Sequence, residues 1–111
     1  MKNEVFQRHA EICKVFSHPK RLEILNILGG RELSVGEVMQ QMEIREANLS
    51  QHLFVLRQRG VVTTRREGQT IFYKISNPKI LQACNLMREV LFEQFKSQGR
   101  LLKDLSKAYN K

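Results

Sequence analysis

Tryptophan is absent from this chain, and its 111 residues include only two prolines and six glycines. That scarcity excludes a collagen-like or Pro/Gly-rich low-complexity chain. The two cysteines, Cys13 and Cys84, are too few for a disulfide scaffold. No apolar run exceeds a few residues, which excludes a transmembrane span. Met1-Lys2-Asn3-Glu4 lacks the apolar core of a secretory signal, so a cytoplasmic location is expected. Acidic residues are also in short supply: 11 Asp and Glu stand against 19 Lys and Arg, a net charge of +8. Such an excess points to a polyanion or an anionic surface, without choosing between nucleic acid and membrane.

What is present reads as one domain, 1–111, with 41% hydrophobic residues and a core small enough to gain from a shared dimer core. Residues 4–17 read as a helix, with Val5 or Phe6, His9, Ile12, Cys13 and Phe16 recurring at three and four residues. A second helix starts at Pro19, whose fixed φ suits the first helical position, and stops at Gly29-Gly30. Leu22, Ile24, Leu25, Ile27 and Leu28 are its expected buried side. Ser34-Val35-Gly36-Glu37 matches a capping box, with Leu33 and Val38 as a hydrophobic staple, and opens a short helix to about Met42.

After a turn at Glu43-Ile44-Arg45, Leu49, Leu53 and Leu56 fall on one face of a fourth helix that ends at Gly60. Its opposite face carries Ala47, Gln51 and Gln58, flanked by Asn48 and Ser50. Val61–Arg66 and Thr70–Ile75 are rich in β-branched and aromatic residues, and a three-residue connection containing Gly68 joins them as a hairpin. Asn77 caps a long final helix from Pro78, with Ile80, Cys84, Met87, Leu91 and Phe95 on one stripe. Leu102 and Leu105 are expected to continue that stripe past a bend at Gly99. The fold class is therefore mainly α with a small β-hairpin, in the order α-α-α-α-β-β-α.

Two short helices joined by a tight turn, 35–42 and 46–58, follow the logic of a helix-turn-helix, and the hairpin 61–75 is its wing. A major groove admits one helix, and small polar side chains near that helix's N-terminus meet base edges. Asn48 and Gln51 can each make a bidentate contact to adenine, and Ser50 can serve a base or a phosphate. Arg45, Arg57 and Arg59 are placed for the backbone, as are Arg65, Arg66, Gln69 and Lys74 on the wing. His52 lies nearer the apolar stripe and is read as packed and hydrogen-bonded rather than as a DNA contact. The rival readings are a winged-helix module that binds a partner protein, and an enzyme. No nucleophile–base–acid set, phosphate-binding glycine loop or metal-ligand spacing supports turnover, and no cofactor is expected.

Four linked stretches carry a family resemblance: Ser17-His18-Pro19-Lys20-Arg21-Leu22-Glu23-Ile24-Leu25, Leu33-Ser34-Val35-Gly36-Glu37-Val38, Leu49-Ser50-Gln51-His52-Leu53 and Arg66-Glu67-Gly68-Gln69-Thr70-Ile71-Phe72-Tyr73. Across residues 10–95 the chain resembles the ArsR-type (arsenic-repressor) winged-helix transcription regulators. The resemblance implies a homodimer built from the first and last helices (1–17 and 78–106). Such a dimer represses an operon by binding a short inverted repeat in double-stranded DNA and lets go when an effector binds. It also implies base contacts at Glu46, Ala47, Ser50 and Gln51. Glu46 departs from the family's neutral polar residue; a carboxylate there repels phosphate but can accept from a cytosine amine.

Two metal sites of the family find no ligands here. The Cys-Val-Cys positions of the third helix hold Ser34 and Gly36, or Val35 and Glu37, and the final helix has no histidine, since all three, His9, His18 and His52, lie earlier. Its one Asp is Asp104. Zinc-like metals favour His or Cys ligands, so no metal is expected. Cys13 and Cys84 read either as small buried hydrophobes or as a pair of thiols that responds to oxidant, sulfide or arsenite. The effector is unknown.

Overall fold

Eight elements follow one another along residues 2–97, the part of the chain described by the structure, a computed structural model. They are α1 (Lys2–Val15), α2 (Pro19–Leu28), β1 (Leu33–Ser34), α3 (Val35–Met39), α4 (Glu46–Gln58), β2 (Val62–Glu67), β3 (Thr70–Ile75) and α5 (Pro78–Ser97). The fold class stands, with β1 as an additional strand. The expected continuation at Gly99, Leu102 and Leu105, and Asp104 with it, lies outside the described residues.

The helix boundaries follow local chemistry. The His18 side chain caps α2, its Nδ1 accepting from the Lys20 N–H at 3.2 Å, and Pro19 follows at the first helical position. Gly29 ends α2 at φ 52°, where its N–H donates to the Leu25 carbonyl at 2.9 Å. That left-handed conformation is cheap only for glycine. Both halves of the capping box at α3 are present: the Glu37 N–H donates to Ser34 Oγ at 3.2 Å, and the Ser34 N–H to Glu37 Oε1 at 3.0 Å. Leu33 and Val38, the staple pair, are both buried. Asn77 Oδ1 accepts from the Lys79 N–H at 2.9 Å and caps α5.

One core joins these elements. Ile24, Leu25 and Leu28 of α2, Val38 of α3, and Leu49, Leu53 and Leu56 of α4 meet Val61, Val62 and Ile75 at the base of the wing. The sheet order is β1-β3-β2, all antiparallel. Leu33 pairs with Tyr73 and Ser34 with Phe72, so the strand that leads into the capping box also ties the wing to α3.

Several expectations are corrected. α1 begins and ends two residues earlier than 4–17. α3 stops at Met39, and Met42 is buried within the turn that follows rather than in the helix. The hairpin connection has two residues, not three, because Glu67 and Thr70 are themselves paired. Gly68 has φ 62° and Gln69 does not share it, the pattern of a type II′ hairpin turn. Leu22 is 39% exposed, since it lies across α2 from Ile24, Ile27 and Leu28. Met87 is 67% exposed: α5 rests on the body through Ile80, Leu81 and Cys84, a different stripe.

α1 is unusual in this setting. Only Val15 is buried and Phe16 half-buried, while Val5, Phe6 and Ile12 stand in solvent. α5 leaves a second apolar stripe exposed at Leu86, Met87 and Val90. Among the described residues no helix is long and apolar enough to cross a membrane.

Candidate nucleic-acid interface

Burial of Leu49, Leu53 and Leu56 fixes which way α4 faces. Glu46, Ala47, Asn48, Ser50 and Gln51 are consequently all exposed on the side turned away from the core. The structure thus brings the expected base-reading residues onto one accessible face, over the first two turns of the helix. Arg45, the residue preceding α4, has extended backbone and makes no side-chain cap, so the N–H groups of the first turn are left to other partners. An open cleft of about 550 Å³ lies beside that end, lined by His18, Lys20, Arg45, Asn48 and His52 among others.

His52 behaves as a packed residue. It is half-buried, its ring centroid lies 4.5 Å from that of His18, and its Nδ1 accepts from Arg21 Nε at 3.4 Å. Arg21 also donates to the Val15 carbonyl at 3.4 Å, so one guanidinium ties the end of α1, α2 and α4 together. Burial, and then the charges of His18, Arg21 and Lys20, hold the His52 imidazole below the usual histidine range.

The arginines expected to meet the DNA backbone have different surroundings. Arg57 and Arg66 are exposed and form no ion pair among the described residues. Arg59, just past the end of α4, faces Glu11 of α1 at 3.6 Å, far along the helix from its reading end. Arg65 is the main departure from expectation, because two carboxylates already hold it. Its Nε and Nη2 donate to Glu32 Oε1 at 2.9 and 2.8 Å, and its Nη1 to Glu67 Oε2 at 2.8 Å. Its guanidinium also covers the Phe72 ring at 4.8 Å, as expected for directly paired residues on one face of a hairpin. The hydrogen bond from Arg65, and the charges of Arg65 and Lys74, draw the Glu32 carboxyl below the usual carboxylate range. The same two carboxylates push Arg65 up.

Strand alternation therefore divides the wing. Arg65 and Lys74 lie on the face that carries Glu32 and Phe72, while Arg66 shares the other face with Ile71 near the tip. Gln69 sits in the turn itself and is exposed. Two residues of this surface have no part in the sequence reading. Glu32 is recognisable only through a contact between distant segments. Phe54, 59% exposed, stands on the outer face of α4 three residues past Gln51, where helical spacing alone would place it.

The two thiols are free. Cys13 is exposed on α1; Cys84 is half-buried on α5, and burial pushes its thiol up, away from a reactive thiolate.

Comparison with known proteins adds to this geometry. Residues 18–64 match the family model "Bacterial regulatory protein, arsR family". The HTH-type transcriptional regulator Rv0081 of Mycobacterium tuberculosis is 37% identical over 102 residues, covering 91% of this chain and 90% of that protein. Its crystal structure gives a TM-score of 0.77 over 85% of this chain and 95% of that one. A biofilm growth-associated repressor of Xylella fastidiosa is 41% identical over 87 residues, 78% of this chain and 76% of its own. A homodimeric winged helix-turn-helix DNA-binding domain from Mycobacterium bovis is 25% identical, with a TM-score of 0.78 over 86% of this chain and 89% of that one.

Proposed function

The chain belongs to the arsR family of bacterial regulatory proteins, and from that premise we propose that it is a homodimeric repressor that seats two copies of α4 on an inverted-repeat operator in double-stranded DNA. The observation that carries the proposal is the outer face of α4. Asn48, Ser50 and Gln51 stand exposed there, opposite three buried leucines and beside a wing that offers Arg66 and Lys74. Helix dimensions suit the major groove, and the basic wing supplies phosphate contacts that position without specifying sequence.

The dimer is proposed from the two exposed apolar stripes, Val5, Phe6 and Ile12 on α1 and Leu86, Met87 and Val90 on α5. Exposed apolar stripes of this kind mark a protein interface. The related Mycobacterium bovis domain is homodimeric. A two-fold dimer presents its reading helices symmetrically, which calls for a palindromic site. The Xylella relative is a repressor, and the same sign is proposed here. No turnover, no cofactor and a cytoplasmic location are proposed with it. Release from DNA is proposed to follow an effector that is neither zinc nor a similar metal, because the family's third-helix and final-helix metal sites both lack their ligands in this sequence.

Titration of the purified protein against a duplex library at two salt concentrations tests DNA binding. Affinity should fall steeply with salt, because each engaged Lys or Arg releases condensed counterions. Salt-independent binding would reject the reading. A promoter fusion carrying the selected site tests the sign: reporter output should drop when the protein is supplied, and a rise would replace repression with activation.

A further inference from the structure

Phe54 is the one large apolar side chain on the outer face of α4, and it is 59% exposed. It does not join the core, which α4 reaches through Leu49, Leu53 and Leu56. Nor does it belong to the apolar stripes of α1 and α5. It lies three residues past Gln51, four past Ser50 and seven past Ala47, so it continues the line of residues that face outward from the reading helix. An aromatic ring in such a line has no hydrogen bond to offer a base. The major groove presents one apolar feature, the C5-methyl of thymine, and phenylalanine is among the side chains that contact it.

We infer that Phe54 is a specificity-determining residue that packs on a thymine methyl in each half-site, with Ala47 as the smaller apolar neighbour about two turns back. The inference rests on the operator-reading role of α4 proposed above and extends it to a particular base. Three residues of helix advance about 4.5 Å along the axis, a little more than one base-pair step of about 3.4 Å. The thymine read by Phe54 therefore lies one to two base pairs beyond the base read by Gln51. The groove is the occupant argued for, rather than a partner protein, because Phe54 is continuous with Ser50 and Gln51, and its neighbours one turn either way along α4 (Ser50, Gln51, Arg57 and Gln58) are polar and exposed.

The test begins with selection of duplexes from a random pool by the full-length wild-type protein, by Phe54→Ala and by Phe54→Leu. Wild type should enrich an inverted repeat with a thymine at one fixed position per half-site. Phe54→Ala should enrich the same repeat with that position degenerate, binding the wild-type site about tenfold more weakly. Phe54→Leu should keep the thymine. In the selected duplex, deoxyuridine at that position removes only the methyl. Wild type should then bind roughly fourfold more weakly, the worth of one apolar carbon, and 5-methylcytosine in place of cytosine there should recover affinity. Phe54→Ala should ignore both changes.

If wild type enriches no sequence at all, the operator-reading role fails and this inference with it. If wild type enriches a repeat, and Phe54→Ala enriches the same repeat with the thymine intact or loses equally on deoxyuridine, the operator reading stands and Phe54 has no part in it. Because the side chain is exposed, Phe54→Ala should unfold at the wild-type temperature, which separates loss of readout from loss of fold.

Discussion

Arg65 and Glu32 stand 33 positions apart in the chain, yet the guanidinium and carboxylate meet at 2.8 Å. Glu67 completes the clamp from the wing itself. The pair joins β2 to the segment that leads into β1 and the capping box of α3, so it holds the wing at a set angle to the helix-turn-helix. It also means that a phosphate can recruit Arg65 only by displacing a carboxylate. Arg66, on the opposite face of the same strand, meets no such competitor among the described residues.

The two neighbouring arginines should therefore separate in a salt titration. Arg66→Ala is expected to weaken binding to all duplexes alike and to lower the slope of log affinity against log salt by about one. Arg65→Ala should change that slope by clearly less. Its loss should appear instead as a wing effect shared with Glu32→Gln, so that the double variant is no worse than the more damaging single one. Equal slopes for Arg65→Ala and Arg66→Ala would mean that Arg65 leaves its clamp on DNA.

Replacement of Gln51 by Ala should cost about 1–3 kcal/mol on the selected operator and little on unrelated duplexes, since a bidentate amide contact discriminates between bases. Competition of operator against random-sequence DNA measures the ratio. Ser50→Ala should lose less, because a single hydroxyl makes at most one directed contact to an edge.

Leu53 and Leu22 share a chemistry but not an environment. Leu53 is fully buried between α4 and the rest of the core, and its truncation to Ala should cost about 2–5 kcal/mol in urea unfolding. Leu22 is substantially exposed, so the same truncation should move the midpoint far less. Comparable losses would indicate that Leu22 is covered in the assembled protein.

His52 gives stability a direction in pH. Its imidazole is held below the ordinary histidine value of 6.5, first by burial and then by His18, Arg21 and Lys20. As pH falls through 6.5, the unfolded chain takes up a proton before the folded one does. The contribution of His52 is thus present above pH 6.5 and declines as pH drops toward its lower folded value. Protonation on Nδ1 would also remove the acceptor for Arg21 Nε. The unfolding temperature should fall between pH 7.5 and 5, and fall less in His52→Gln. Parallel profiles for the two proteins would assign the decline to other groups.

Much of the scaffold was legible because its signals are local. Ser34 and Glu37 satisfy each other within one helical turn, Asn77 caps the helix that Pro78 begins, and Leu49, Leu53 and Leu56 repeat at helical spacing. The exposed polar line of α4 followed directly, since burying one face exposes the other. β1 was hidden because two residues have no alternation to read, and its pairing with Tyr73 and Phe72 joins segments far apart in the chain. The Arg65–Glu32 clamp was hidden for the same reason. On α5, periodicity marks apolar positions all round the helix but cannot say which stripe meets its own body. Met87 shares helical spacing with Ile80 and Cys84, yet it stands exposed with Leu86 and Val90.

The bare apolar side of α1 also bears on how much of this protein a cell can hold in working form. A helix with Val5, Phe6 and Ile12 in water gains its stability from whatever covers them, and in the homodimer proposed above the cover is another copy. Dilution then removes structure as well as partners. The unfolding temperature should climb with protein concentration, and below a threshold number of copies the chain becomes a substrate for proteases rather than a weak binder. Active repressor would then vary more steeply than the rate of its synthesis, so that control of the operator sharpens before any effector is involved.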